Sequence, residues 1–132
     1  MELHTSYAFG KSVSAPFASV NSKVRDELQK EGFGILSEID VTSKFKEKLD
    51  KTFRKYLILG ACNPTLAWEA FGKEINIGAL LPCNVVLYET DDVETVVMIM
   101  DPEAVLSLID NPDVAELAAT VKAKMQRVLA AL

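Results

Sequence analysis

The chain has 132 residues, of which 49% are hydrophobic and 25% charged, a composition typical of a folded globular protein. This length fits one domain, residues 1–132, with a core large enough that no disulfide, metal or other cofactor is required for folding. A net charge of −5 argues against nucleic acid and anionic membranes as partners.

The sequence carries no mark of export or membrane insertion. No apolar run approaches the ~20 residues of a spanning helix, and residues 1–6 lack the basic and apolar segments of a signal peptide. We therefore expect a cytoplasmic protein in which Cys62 and Cys83 are reduced. His4, the only histidine, lies in what we expect to be a loose tail.

The first predicted elements are a strand and an amphipathic helix. Residues 7–13 alternate loosely between small and aromatic side chains, which predicts a strand. Pro16 is well placed to begin a helix, because its missing N–H costs nothing in the first turn. Apolar residues then recur at helical spacing, and Gly32 is expected to supply a left-handed cap.

Residues 33–41 form the second predicted strand. Strict alternation would place four side chains on one face, namely Phe33, Ile35, Ser37 and Ile39. Glu38 and Asp40 would share the opposite face, where two carboxylates could serve acid–base chemistry or bind a hard cation. The alternative is a solvated strand end, with Asp40 helping to cap the short helix that Thr42 or Ser43 would begin.

The middle of the chain carries an almost unbroken apolar run over residues 56–61, which predicts a strand covered on both faces. Asn63 and Pro64 then have the residue types of an N-cap and a first helical position. Gly72 is expected to end this helix. Trp68 lies off its apolar stripe, so we expect half-buried packing; the alternative is a position at the edge of an interface or a ligand pocket.

Two further strands are predicted to form a hairpin. Residues 75–81 form a mostly apolar connector with one irregular helical turn. The strands 83–88 and 93–100 are joined by a short acidic link, which is typical of a hairpin. Met98 and Met100 share one strand face and are expected in the core.

The C-terminal part is predicted to be helical. One helix spans residues 102–109, and a second begins at Pro112 and continues as an amphipathic helix to the end. The resulting order predicts an α+β fold. It has a single sheet of about five strands, mixed or mostly antiparallel, with helices packed mainly on one face.

Cys62 and Cys83 stand at two structural joints and are the most versatile chemical groups in the chain. Cys62 adjoins the predicted helix start, where the helix dipole and unpaired amides favour a thiolate with a lowered pKa. The alternative is that both thiols are small buried hydrophobes. His4 is the only histidine and lies in the tail, so we assign no metal site.

Charge is unevenly distributed along the sequence. A basic cluster surrounds the short helix: Lys44, Lys46, Lys48, Lys51, Arg54 and Lys55. An acidic stretch follows later: Glu89, Asp91, Asp92, Glu94, Asp101, Glu103, Asp110, Asp113 and Glu116. Two solvated faces would account for this, as would self-complementary contact in a dimer or a basic patch that steers an anionic ligand.

The motifs Gly-Ala-Cys-Asn-Pro-x-x-Ala at residues 60–67 and Leu-Pro-Cys-Asn-Val-Val-Leu-Tyr-Glu at residues 81–89 resemble a bacterial and archaeal family. It is the domain-of-unknown-function family 302, and the similarity also includes residues 32–34 and 38–41. The resemblance implies a β-α-β4-α fold similar to that of the TATA-binding protein, and a homodimer. It implies no activity.

These observations favour a small cytoplasmic module that binds a ligand or partner. We expect a site for a small-molecule or anionic ligand between the helix start at Cys62 and Asn63 and the strand at Cys83, with Glu38 and Asp40 as neighbours. The alternative is a thiol-dependent redox or metal-handling protein that uses Cys62. A hydrolytic enzyme is disfavoured, because no histidine is expected beside a nucleophile.

Overall fold

The computed structural model describes all 132 residues. Six strands form one open sheet in the order β1-β2-β6-β5-β4-β3, and all neighbouring pairs are antiparallel. The strands are β1 (Glu2–His4), β2 (Ala8–Val13), β3 (Gly34–Asp40), β4 (Tyr56–Cys62), β5 (Cys83–Glu89) and β6 (Thr95–Met100). The α+β class is therefore confirmed, with six strands instead of about five.

The α-helices are α1 (Phe17–Lys30), α2 (Val41–Leu49), α3 (Pro64–Lys73), α4 (Pro102–Leu106) and α5 (Pro112–Ala130), with a 3-10 helix at Ile75–Leu80. Four of the five α-helices begin at side-chain caps, and α1 follows Pro16, whose side chain forms no capping hydrogen bond. Asp40, Asn63, Asp101 and Asn111 each accept a hydrogen bond from an amide in the first turn of the following helix. No helix is long and apolar enough to cross a membrane.

The hydrophobic core has two parts. The larger part packs α1 and α5 on one face of the sheet and includes Leu28, Leu59, Val85 and Met125. The smaller part joins α3, the 3-10 helix, α4 and α5 around Ile77. Leu81 packs against both parts, so it lies at the boundary between them.

Three boundaries differ from prediction. His4 lies in β1, where it is paired with Phe9, and not in a loose tail. The predicted helix over 102–109 ends at Leu106. Thr42 and Ser43 do not cap α2, whereas the predicted cap by Asp40 is confirmed: its carboxylate accepts hydrogen bonds from the Ser43 amide at 3.1 Å and the Ser43 hydroxyl at 2.9 Å.

A β-bulge at Leu36 changes the facing of β3. Ile35 pairs with Ala61, but the next pair is Ser37 with Gly60, so the register shifts at this point. The predicted alternation is therefore wrong: Ile35 faces the helices, whereas Ile39, paired with Ile58, lies on the opposite face. Alternation of side chains along the sequence does not reveal that a strand contains an additional, bulged residue.

The second face of the sheet has no helix packed along its centre. The pairs Tyr56–Tyr88 and Val86–Met98 lie on this face, and all four side chains are only half-buried. The prediction that residues 56–61 are covered on both faces is wrong for the single chain, and so is the core position of Met98. Trp68 is also not half-buried, because it is 83% exposed.

Candidate functional site

Cys62 and Asn63 lie at the end of β4, where the chain enters α3. The Asn63 side-chain oxygen accepts a hydrogen bond from the Leu66 amide at 3.2 Å, and its amide nitrogen donates to the Glu31 carbonyl at 3.3 Å. The chain can turn beside it because Gly32 adopts a positive φ of 87°. Asn63 therefore fixes the start of α3 against the end of α1, and both ends of its amide are engaged.

Cys83 begins β5 and is paired directly with Ala61 of the neighbouring strand. Leu81 and Pro82 connect the 3-10 helix to this strand. Cys83 is buried and Cys62 half-buried, and neither forms a disulfide. The antiparallel pairing of β4 and β5 therefore brings the two sequence joints to the same end of the sheet.

An apolar cavity of about 240 Å³ lies at this end, between the two parts of the core. Of its 18 lining residues, 15 are hydrophobic and none is charged. Cys62, Asn63 and Cys83 are all among them. The cavity opens to solvent beside Leu36 and Phe71, whose side chains line it and are 68% and 41% exposed.

Both thiols are protonated at neutral pH. Burial raises the pKa of Cys62 above its ordinary value. Burial, with a smaller contribution from nearby Cys62, raises the pKa of Cys83 to about 11. The hypothesis of a lowered pKa at Cys62 is wrong in direction because burial of the thiol disfavours the thiolate. No stabilising donor comes from Pro64, which has no N–H, or from the Leu66 amide, which the Asn63 side chain already occupies.

Glu38 and Asp40 lie outside this cavity, so the expectation that they neighbour the thiol site is wrong. Glu38 forms an ion pair with Arg25 of α1 at 3.0 Å. Asp40 caps α2, and hydrogen bonds from the Ser43 amide and hydroxyl lower the pKa of its carboxyl. The structure holds no group of three or more His, Cys, Asp or Glu residues that could bind a metal ion.

Several residues that line the cavity are not predicted from the sequence. Leu36 reaches the mouth through the β-bulge, and Leu106, Val114, Leu117 and Val121 come from α4 and α5. The apolar stripe of α5 is visible in the sequence, but it does not reveal that its first half faces α3 and not the sheet. No local signal identifies Leu36.

The basic cluster and the acidic stretch meet within the chain. Arg54 lies 3.6 Å from Asp91, and Lys55 lies 4.0 Å from Glu89. These exposed pairs each contribute little to stability. They do, however, place opposite charges at one end of the molecule. Acidic residues of the β5–β6 hairpin therefore neutralise part of the basic cluster.

The fold and site define an α+β protein with an open antiparallel sheet and an apolar cavity at one end of it. The sequence matches the family described as "Domain of unknown function DUF302" over residues 9–132. The chain belongs to this family, which confirms the resemblance seen in its motifs.

A solved structure supports the same conclusion. The chain is similar to an uncharacterized conserved DUF302 protein from Bacillus stearothermophilus, with a TM-score of 0.87 and 26% sequence identity. The similarity covers 94% of this chain and 96% of that one. No functionally curated protein matches the sequence.

Proposed function

We propose that this protein binds a small, neutral, apolar molecule in the cavity between its two core parts. The observation that carries the proposal is the lining itself, in which 15 of 18 residues are hydrophobic and none is charged. An apolar cavity that opens to solvent is the usual form of a small-molecule site. The cavity also lies where Cys62, Asn63 and Cys83 come together.

The volume limits the size of the ligand. A cavity of ~150 Å³ accommodates benzene, so about 240 Å³ corresponds by proportion to roughly ten non-hydrogen atoms. A Kd of ~1 µM requires a binding free energy of about −8 kcal/mol. For ten non-hydrogen atoms this is about −0.8 kcal/mol per atom, which lies within the range observed for small ligands. We therefore expect micromolar affinity for a compact hydrocarbon-like molecule.

The polar groups of the cavity favour a neutral ligand over an anion. The Asn63 amide is already bonded on both sides. The two thiols remain protonated, because burial raises the pKa of each. A charged ligand would lose its hydration without gaining a counter-charge, at a cost of several kcal/mol.

Naphthalene, with ten carbon atoms, is a suitable probe. Titration followed by amide chemical shifts should show saturable changes around Ala67 and Ala70, with micromolar Kd. The anion 1-naphthoate carries the same ring system plus a carboxylate and should bind at least about tenfold more weakly. Equal affinity for the two probes would contradict the assignment of a neutral ligand.

Matched variants test the location of binding. Ala70 lies in α3, lines the cavity and is 8% exposed, so Ala70→Leu should fill the cavity and abolish naphthalene binding. Ala119→Leu adds the same side chain to an exposed position of α5 and should leave binding unchanged. Unaltered binding by folded Ala70→Leu protein would rule out this cavity as the site.

The thiol-dependent alternative is distinguished by Cys62→Ser. A binding site made of apolar surface should keep its affinity in this variant, whereas a thiol-dependent protein should lose its activity. Alkylation of native Cys62 and Cys83 should be slower at pH 7 than that of an exposed cysteine, because both thiols have raised pKa values. Fast labelling of Cys62 would favour the alternative.

We further infer a cytoplasmic location, which two free cysteines support. We also propose that the sheet is related to that of the TATA-binding protein. The additional strand β1 and the helices α2 and α3 extend the simple β-α-β4-α pattern. Cell fractionation tests the first inference.

A further inference from the structure

An exposed apolar patch borders the opening of the cavity. Leu36 of β3 and Phe71 of α3 both line the cavity, and both side chains are exposed. Trp68, one turn before Phe71 on the same side of α3, is 83% exposed, and Ile75 of the 3-10 helix is 75% exposed. We call these four residues the mouth patch. They include the only tryptophan of the chain.

The 3-10 helix and α3 form one continuous surface at this point. A Cβ atom built on Gly78 would lie 3.4 Å from the Phe71 ring, so that ring packs against the 3-10 helix. Residues three apart in a 3-10 helix lie on the same side, which places Ile75 beside Gly78 on the side that Phe71 contacts. The mouth patch is therefore contiguous from Trp68 to Ile75.

The mouth patch carries no charge. The charged residues of α3 are Glu69 and Lys73, and a rotation of about 100° per residue turns both away from Phe71. The only side-chain hydrogen-bonding group of the patch is the indole N–H of Trp68. Soluble proteins seldom expose several large apolar side chains next to each other, and such patches are typical of contact sites.

We propose that the mouth patch docks on the surface of a neutral lipid bilayer, from which the apolar ligand enters the cavity. This inference rests on the proposed function for the nature of the ligand. A hydrocarbon-like molecule concentrates in lipid and not in water. Because the cavity opens beside Leu36 and Phe71, docking of the patch would bring this opening to the bilayer, and the ligand would not have to cross water.

The chemistry of the patch favours lipid over a protein partner. Protein interfaces carry about one hydrogen bond per 100–200 Å² and use complementary charge for selectivity, whereas the patch offers one donor and no charge. A tryptophan, with its apolar ring and single N–H, is typical of side chains at the level of the lipid headgroups. The net charge of −5 opposes contact with an anionic membrane but not with a neutral one.

Trp68 is itself a probe of this contact, because the chain has no other tryptophan. Phosphatidylcholine vesicles should shift its fluorescence emission to shorter wavelength, and lipids with brominated acyl chains should quench it. Flotation of the vesicles measures the partition coefficient of the protein. Raised salt should leave this coefficient unchanged, because apolar contacts are not screened. Vesicles that also contain phosphatidylserine should bind less protein, because both surfaces are negative.

Matched variants locate the contact. Ile75→Ser should lower the partition coefficient about tenfold, because an apolar side chain no longer enters the lipid. Val93→Ser is the control: Val93 is 69% exposed and lies in the β5–β6 turn, whereas the cavity lies at the Cys83 end of β5. This variant should bind vesicles like the wild type. Neither residue lines the cavity, so naphthalene binding without vesicles should be unchanged in both variants.

Folding of each variant is checked by its circular dichroism and urea midpoint. Wild-type protein that does not bind phosphatidylcholine vesicles would overturn the proposal, as would folded Ile75→Ser protein with undiminished binding. Stronger binding to the vesicles with phosphatidylserine would also overturn it, because the contact would then belong to the basic cluster around α2. Each of these results leaves naphthalene binding in solution untouched. Loss of naphthalene binding with vesicle binding intact would instead contradict the proposed function, and with it the entry of a ligand from lipid.

Discussion

Gly60 lies in β4 where Ser37 and Pro82 approach it from neighbouring segments. A Cβ atom built on it would overlap the Ser37 hydroxyl and would lie 2.8 Å from Cγ of Pro82. We therefore expect Gly60→Ala to destabilise the protein by about 1–3 kcal/mol, the range for overpacking in a filled site. Urea unfolding measures this difference.

Gly72 provides the control, because it lies in α3 and a Cβ atom there meets nothing within 4 Å. Gly72→Ala should stabilise the protein by about 0.5–1 kcal/mol through the better helix propensity of alanine. If Gly60→Ala were as stable as the wild type, Ser37 and Pro82 would have room to move. The close approach at Gly60 would then be dispensable.

For single residues, the sequence predicts the helix start at the candidate site but not the pKa of its thiol. Asn63 and Pro64 carry a local signal, because capping and the first helical position depend only on nearby backbone. The pKa of Cys62 depends on burial, which results from the packing of the whole fold and not from the neighbouring backbone. The dipole and free amides at the start of α3 therefore do not determine the direction of the Cys62 pKa shift.

Among the α-helices, α2 is the one with no buried residue, so it is weakly attached to the rest of the fold. The Thr42 hydroxyl joins it to β4, since it donates to the Arg54 carbonyl at 2.6 Å and accepts from the Tyr56 amide at 2.9 Å. Edge-to-face contact of Phe45 with Phe53, at 5.2 Å between centroids, adds to this attachment. The free energy of opening α2 should thus lie well below that of global unfolding.

We predict that Thr42→Val lowers stability by about 1 kcal/mol, because two hydrogen-bonding backbone groups lose their partner. Hydrogen exchange should accelerate in α2 and at Tyr56, while the amides of α5 keep their protection. Thr120→Val is the control, because its exposed hydroxyl bonds only to Glu116 within its own helix. Unchanged exchange in α2 after Thr42→Val would show that the aromatic contacts alone hold it.

Element order was predictable from the sequence, whereas the arrangement of strands was not. Caps and hydrophobic periodicity identify α1, α3 and α5, which the structure confirms. The bulge at Leu36 and the short edge strand β1 arise from pairing with distant strands. The central position of β6, between β2 and β5, likewise depends on contacts that no local window contains.

For the molecule as a whole, acid stability should depend on carboxylates engaged by hydrogen bonds. The pKa lies below its ordinary value for five of them: Glu27, Glu31, Asp40, Glu94 and Asp101. A carboxyl group with a lowered pKa stabilises the fold above its ordinary pKa and loses that contribution as the pH falls through the lowered value. Stability should therefore decline steadily below about pH 5.

Asp101 is the most informative of these, because it is 8% exposed and joins the start of α4 to α5. Burial alone would raise its pKa. The hydrogen bond from Lys122 at 3.0 Å and those from the amides of Ala104 and Glu103 outweigh that effect and lower it. Asp101→Asn should cost about 2 kcal/mol at pH 7, as expected for hydrogen bonds to a charged group.

The difference in unfolding free energy between wild type and Asp101→Asn should shrink as the pH falls from about 5 to about 3, because Asp101 binds its proton at a higher pH in the unfolded chain than in the folded protein, where its pKa is lowered. Urea unfolding over this range measures it at each pH. Asp92→Asn, at an exposed position in the β5–β6 turn, should stay within about 0.5 kcal/mol of the wild type throughout. A constant difference for Asp101→Asn across the whole range would mean that its charge contributes nothing. The cost would then come from altered capping geometry at α4.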